Sequence, residues 1–153
     1  LDDVLKEDCT DNRRIWWIYD PRGAAGKSTM VKHLIYNRNA ITLSGKAADI
    51  FYAYQGQRIA IFDIPRSHEG DFINYGAMEK IKDGVFFVAK YNSFAYVRDY
   101  NAHVVVFANC LPDETKFTPD RLEIVHLSEP VAHDNLGQGF EDYNAGFRSG
   151  LGM

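Results

Sequence analysis

Short apolar runs alternate with longer, helically spaced patterns along this chain. Residues 14–19, RIWWIY, are β-branched and aromatic and end at Asp20-Pro21, which predicts a buried strand. RIAIFDI at 58–64, stopped by Pro65, HVVVFAN at 103–109 and RLEIVHL at 121–127 read the same way. Between them, residues 27–37 place Met30, Val31, Leu34 and Ile35 on one helical face. KAADIFYAY at 46–54 predicts a second helix. Residues 71–82 predict a third, with Ile73, Ala77, Met78 and Ile81 inward. NAITLSG at 39–45 is a short strand candidate, and VFFVAKYNSFAYVRDY at 85–100 reads as two short strands around a tip at Lys90 to Ser93. Strands alternating with helices argue for an α/β sandwich on a mainly parallel sheet. After Leu127 the residues turn to Gly, Asn and Asp without periodicity, so 128–153 read as a tail or poorly ordered segment. There is no internal repeat.

Composition narrows this to one ordinary domain. The chain has 153 residues, 46% hydrophobic and 25% charged, enough to bury a core. No apolar run approaches the ~20 residues of a membrane helix, and IWWIY is too short for a signal peptide. Cys9 and Cys110 lack metal-ligand spacing, which favours a reducing compartment and leaves a disulfide between them open. The net charge of −4 is uneven: residues 1–12 carry −4, residues 128–153 carry −3, and 13–127 carry +3. Nucleic-acid contact would therefore run through a few placed cations rather than a broad basic face.

The chemistry begins at YDPRGAAGKST, residues 19–29. The phosphate-loop pattern G-x-x-x-x-G-K-S/T would put Gly at position 21, where this chain has Pro21. Counted from Asp20, the loop is one residue longer than the pattern. Pro21 can still start the turn with its fixed φ. Gly23, Ala24, Ala25, Gly26, Lys27, Ser28 and Thr29 lie between a strand and a helix, where backbone N–H groups and the helix start cradle phosphates. Lys27 would reach the β- and γ-phosphates and the Ser28 hydroxyl would ligate Mg²⁺. Asp63 ends a buried strand, the position from which an acid holds Mg²⁺ through water; the bland alternative is a cap on the turn before Pro65. Ile64 follows it in place of a second acid, and Glu69 and Asp71 are weak candidates for polarising water. Asn109 ends another strand and could hydrogen-bond the γ-phosphate or the attacking water, although turn asparagines are common.

Taken together, GAAGKST, IAIFDIPRS, NYGAMEKIKDGVFFVAKY, VVVFAN and DRLEIV resemble, in order and spacing, the superfamily 3 helicase domain of replication initiator (Rep) proteins. These belong to small circular single-stranded DNA viruses, nanovirus-like and circovirus-like, and to their satellites. The resemblance covers about residues 13–127. It implies an AAA+-like P-loop ATPase, a three-layer sandwich with a DNA-contacting β-hairpin, using ATP and Mg²⁺. It further implies a homo-oligomeric ring, usually a hexamer, around single-stranded DNA during rolling-circle replication in the host nucleus. Carried over, Lys27 and Ser28 are the ATP and Mg²⁺ residues, Asp63 the Walker B acid and Asn109 the sensor. Arg121 would be the arginine finger reaching a neighbouring subunit's ATP; otherwise it is a surface Arg paired with Asp120 or Glu123. Lys90 and Tyr91 fall at the DNA-contacting hairpin, where a cation meets the phosphodiester chain and a ring stacks a base. Lys82 and Arg98 are weaker candidates nearby.

Two departures, Asp20-Pro21 and the single acid at Asp63, bear on turnover more than on binding. Residues 1–12 hold nothing like the nicking domain of such proteins and read as a linker or the end of an oligomerisation segment. The five histidines show no close pairing, so the chain reads as a fragment without nicking activity, its nicking domain lying elsewhere in the full-length protein. The alternatives are a P-loop small-molecule kinase and a nucleotide-binding assembly module with little turnover.

Overall fold

The computed structural model describes residues 1–22, 26–64 and 73–127; the expected tail at 128–153, Glu69, Asp71 and loop residues Gly23, Ala24 and Ala25 lie outside them. The elements follow in the order α1 (Asp2–Leu5), β1 (Ile15–Tyr19), α2 (Lys27–Asn37), β2 (Ala40–Leu43), α3 (Ala47–Ala53) and β3 (Ile59–Ile64). Then come α4 (Tyr75–Asp83), β4 (Val85–Val88), β5 (Phe94–Val97), β6 (His103–Ala108), a 3₁₀ turn (Glu114–Lys116) and β7 (Leu122–His126).

One sheet has five strands in the order β2-β3-β6-β1-β7, and every neighbouring pair is parallel. Such a sheet needs cover on both faces, which is why its strands read as continuous apolar runs. Alternate side chains divide between the layers. Trp17, Phe62, Val104 and Val106 pack with Ile50, Met78, Ile81 and Phe86, so α3, α4 and the β4–β5 hairpin cover one face. Ile18, Ile61, Val105 and Phe107 pack with Met30, Leu34 and Leu5, so α1 and α2 cover the other. The result is three layers.

Two local expectations are corrected, and the open question of a disulfide is answered. In α2 the inward residues are Met30, His33 and Leu34, at spacing i, i+3, i+4, while Ile35 is 40% exposed. His33 takes the inward position because Asp2, fully buried on α1, meets its Nε2 at 2.8 Å and also receives Arg38. The third helix starts at Tyr75, not residue 71, because the Asn74 side chain accepts the Ala77 N–H at 3.0 Å and caps it. It stops at Gly84, whose φ of 76° suits a residue without Cβ. Neither Cys9 nor Cys110 is in a disulfide.

Candidate functional site

Parallel pairing brings the C-terminal ends of the strands to one edge. Tyr19 of β1 is in register with Ala108 of β6, and Ala108 with Ile64 of β3. The residues that follow or end these strands, Asp20, Asn109 and Asp63, are therefore neighbours although 89 positions separate the first two. The Asp20 N–H donates to the Ala108 carbonyl at 2.9 Å, and Asn109 Nδ2 donates to the Asp20 carbonyl at 2.6 Å. Asn109 thus clamps the start of the glycine-rich loop. Asp20 Oδ1 accepts the Arg22 N–H at 3.2 Å across Pro21, a local side-chain turn at the position where the loop pattern has its first Gly.

The loop meets α2 at Gly26, which is left-handed (φ 77°, ψ 26°) and accepts the Met30 N–H at 3.0 Å. No side chain caps this helix start and its first turn holds no acid, so the N–H groups of the first turn are open to an anion. Ser28 and Thr29 are exposed there. The Lys27 ammonium lies 2.9 Å from Asp63 Oδ1, with the two side chains 25% and 40% exposed. That same oxygen is shielded from solvent and has no hydrogen bond, so the ammonium is close but off the hydrogen-bonding axis. A buried, unsatisfied carboxylate oxygen at a strand end, with a serine hydroxyl on the adjoining helix start, is a donor set suited to a hard cation such as Mg²⁺. The residues present fit a nucleotide triphosphate with its metal. Asp63 also lines a cavity of about 430 Å³, together with Leu43, Lys46, Ile50, Phe62 and Met78.

The other sequence candidates sit elsewhere. Lys90 and Tyr91 are at the hairpin tip, with Tyr91 78% exposed and at φ 57°, a left-handed conformation costly for a bulky residue. Lys90 pairs with Asp49 of α3, which raises the lysine pKa and lowers that of the acid, and Tyr52 of α3 lies 5.0 Å from the Tyr91 ring. Asp49 and Tyr52 carry no sequence signal of this role beyond their i, i+3 spacing. Arg121 is at the opposite, N-terminal edge: it precedes β7, is buried, and donates to Asp83 at 2.6 Å and to the Arg13 carbonyl at 3.2 Å. Asp120 instead receives Arg13 at 2.9 Å. Lys82 and Arg98 are interior residues. Lys82 donates to the Asp11 and Ala102 carbonyls, both at 2.7 Å, and Arg98 to the Ile81 and Lys82 carbonyls and the Tyr54 hydroxyl, each at 2.8 Å. Their donors are occupied, which removes them as DNA contacts. Among the described residues no helix is long and apolar enough to cross a membrane.

No family model matches the chain. It is 41% identical over 127 residues to the master replication protein of milk vetch dwarf virus (isolate N), which is 82% of this chain and 43% of that protein. It is 42% identical over 117 residues to the master replication protein of subterranean clover stunt virus (strain F), 76% of this chain and 40% of the relative. It is 40% identical over 126 residues to that of banana bunchy top virus, 82% and 43%. The chain spans less than half the length of the curated relatives it matches, and over most of its own length it is a homologue of viral replication proteins.

Proposed function

We propose that the chain is the ATP-hydrolysing helicase module of a viral replication initiator, translocating on single-stranded DNA as a ring. The observation that carries this is the juxtaposition of Lys27 with the unsatisfied Asp63 Oδ1 at 2.9 Å, on the edge where Asn109 clamps the loop. The bound nucleotide and its Mg²⁺ supply the phosphoanhydride bond and its electrophile. Lys27 would leave Asp63 to bind the terminal phosphates, and Ser28 and Asp63 would hold the metal. Asn109 keeps the loop start fixed and offers its amide on the γ-phosphate side. Lys90 and Tyr91 take the strand through one phosphate contact and one stacked base, and the Arg121 finger acts only after it leaves Asp83.

The cavity beside Asp63 favours a second reading, phosphoryl transfer to a small acceptor seated there. ATP turnover against protein concentration, with and without single-stranded DNA, separates the two. The helicase reading expects turnover that rises more steeply than linearly with concentration, is stimulated by DNA, and is lost in Lys27→Ala. Turnover linear in protein and indifferent to DNA supports the transferase.

A further inference from the structure

The strand contact at Lys90 and Tyr91 leaves one neighbour without a role. Helix α3 meets the core through Ile50, Phe51 and its C-cap Tyr54, and Phe51 stacks on Phe86 of β4 with ring centroids 4.7 Å apart. Tyr52 adds nothing to that packing. It is 49% exposed, and its ring meets Tyr91, 78% exposed at the hairpin tip, with centroids 5.0 Å apart and planes tilted by 52°. The Lys90 ammonium lies 6.0 Å from the centre of the Tyr52 ring. As a stabilising contact this is poor. Both rings stay largely in water, and the left-handed backbone of Tyr91 costs about as much as an aromatic pair returns. As a surface for other flat rings it is well made. Because the planes are tilted rather than stacked, neither ring covers the other, and each keeps a face open to solvent. The charge suits a polyanion: Lys90 and Lys46, the exposed N-cap of α3, set two cations against Asp49 along this rim. In a duplex the bases stack on one another and hide their faces, whereas an unpaired strand offers them to aromatic side chains.

We propose that Tyr52 is a further stacking residue for single-stranded DNA, so that α3 and the hairpin tip together hold neighbouring bases, with Lys90 on a phosphate beside them. This rests on the strand-binding reading of Lys90 and Tyr91 and adds to it a residue outside the hairpin. The strand then runs across the junction between α3 and the tip, and Lys90 exchanges Asp49 for a phosphate as it enters.

The test is fluorescence anisotropy of the chain at low salt with a dye-labelled oligodeoxythymidine and with an abasic oligonucleotide of the same length, which keeps the phosphates and lacks the bases. Tyr52→Ala is expected to weaken oligodeoxythymidine binding roughly 5- to 140-fold, the range for one stacked base. Its binding to the abasic strand is expected to be unchanged, which also serves as the folding control. A residue that only props the hairpin would act through Tyr91 and fall silent once that ring is gone. Tyr52→Ala is therefore expected to weaken oligodeoxythymidine binding further in a Tyr91→Ala background. Tyr52→Phe, which keeps the ring, is expected to recover most of the affinity. Normal binding by Tyr52→Ala, an equal loss on the abasic strand, or no added loss in the double variant overturns the role of Tyr52; a loss in Tyr91→Ala then leaves the hairpin contact standing. If the unaltered chain binds neither oligonucleotide, the strand-binding reading falls together with this inference.

Discussion

Lys27 and Asp63 face each other at 2.9 Å although β6 lies between β3, which carries Asp63, and β1, which leads into the loop before Lys27 and α2. Half-exposed ion pairs of this kind contribute within about 1 kcal/mol, so the pair is a poor stabiliser and its cost is an unsatisfied acid oxygen. Lys27→Ala is therefore expected to leave the melting temperature within a few degrees while abolishing ATP binding. Asp63→Asn is expected to keep nucleotide binding and lose Mg²⁺-dependent turnover. Calorimetric titration with a non-hydrolysable ATP analogue reads the binding of both variants, and phosphate release from ATP with and without Mg²⁺ reads the turnover; a Lys27→Ala protein that binds normally contradicts the assignment.

The Lys90–Asp49 pair makes a prediction with two signs. Lys90→Ala is expected to weaken single-stranded DNA binding and reduce the log–log salt slope by about 0.7, one phosphate contact. Asp49→Ala releases the same ammonium and is expected to strengthen binding. Tyr91→Ala is expected to cost about 1–3 kcal/mol, one stacked base. Fluorescence anisotropy with a labelled oligonucleotide across salt concentrations measures all three, and weaker binding in Asp49→Ala would place the DNA elsewhere.

Arg121 is held by Asp83 at 2.6 Å, its side chain only 6% exposed against 37% for the acid. Arg121→Ala leaves Asp83 to water but strips the Arg13 carbonyl of its donor, an expected destabilisation of about 1–3 kcal/mol. Its loss of turnover then mixes folding with catalysis. Asp83→Asn separates them, because it loosens the internal hold and keeps the guanidinium. A trans-acting finger is expected to retain or gain turnover in Asp83→Asn, at concentrations where the ring forms; equal losses in both variants indicate a purely internal role.

The parallel core was legible because its strands are covered on both faces, so Trp17, Phe62 and Val106 sit in unbroken apolar runs. The nucleotide edge was legible for the same reason: when all strands run one way, Asp63 and Asn109 must share an end with the loop after β1. Partners of charged residues were not legible. Nothing local ties Arg121 to Asp83, Lys90 to Asp49 or Lys82 to the carbonyl of Asp11, since these contacts join residues 38, 41 and 71 positions apart. A buried cation and an exposed one look alike in sequence, which is how Lys82 and Arg98 passed as surface candidates. The placement of Asp2 was hidden likewise, because an acidic opening segment reads as solvated until His33 and Arg38 are found beneath it.

Asp2 supplies a pH dependence. Burial alone would raise its carboxyl, but the hydrogen bonds from Arg38 and His33 more than offset this and lower it below 3.8. A depressed acid contributes stability above its unfolded pKa and loses it as pH falls through the folded value. The difference in melting temperature between the unaltered chain and Asp2→Asn is thus expected to shrink as pH falls below about 4, where the unfolded carboxyl protonates. The subtraction removes the other depressed acids, Asp11, Asp49, Asp113 and Asp120. A difference that is flat to pH 2 would mean that Asp2 is not held in the charged form.

Gly84 tests whether α4 and the hairpin are locked together. Its φ of +76° is strained for any residue with a Cβ, and a Cβ there would meet Arg98 Nη2 at 3.0 Å. That guanidinium cannot swing aside cheaply, because the Ile81 and Lys82 carbonyls, the Tyr54 hydroxyl and the Tyr100 carbonyl hold it. The left-handed backbone costs about 1 kcal/mol and the displaced hydrogen bonds about as much again. Gly84→Ala is therefore expected to lose about 2 kcal/mol in urea unfolding, whereas Gly76→Ala, exposed in the first turn of the same helix and facing only the Asn74 side chain at 3.8 Å, is expected to be neutral or mildly stabilising. A loss at Gly84 of only about 1 kcal/mol, the backbone strain alone, would show that the Arg98 staple yields to the added methyl.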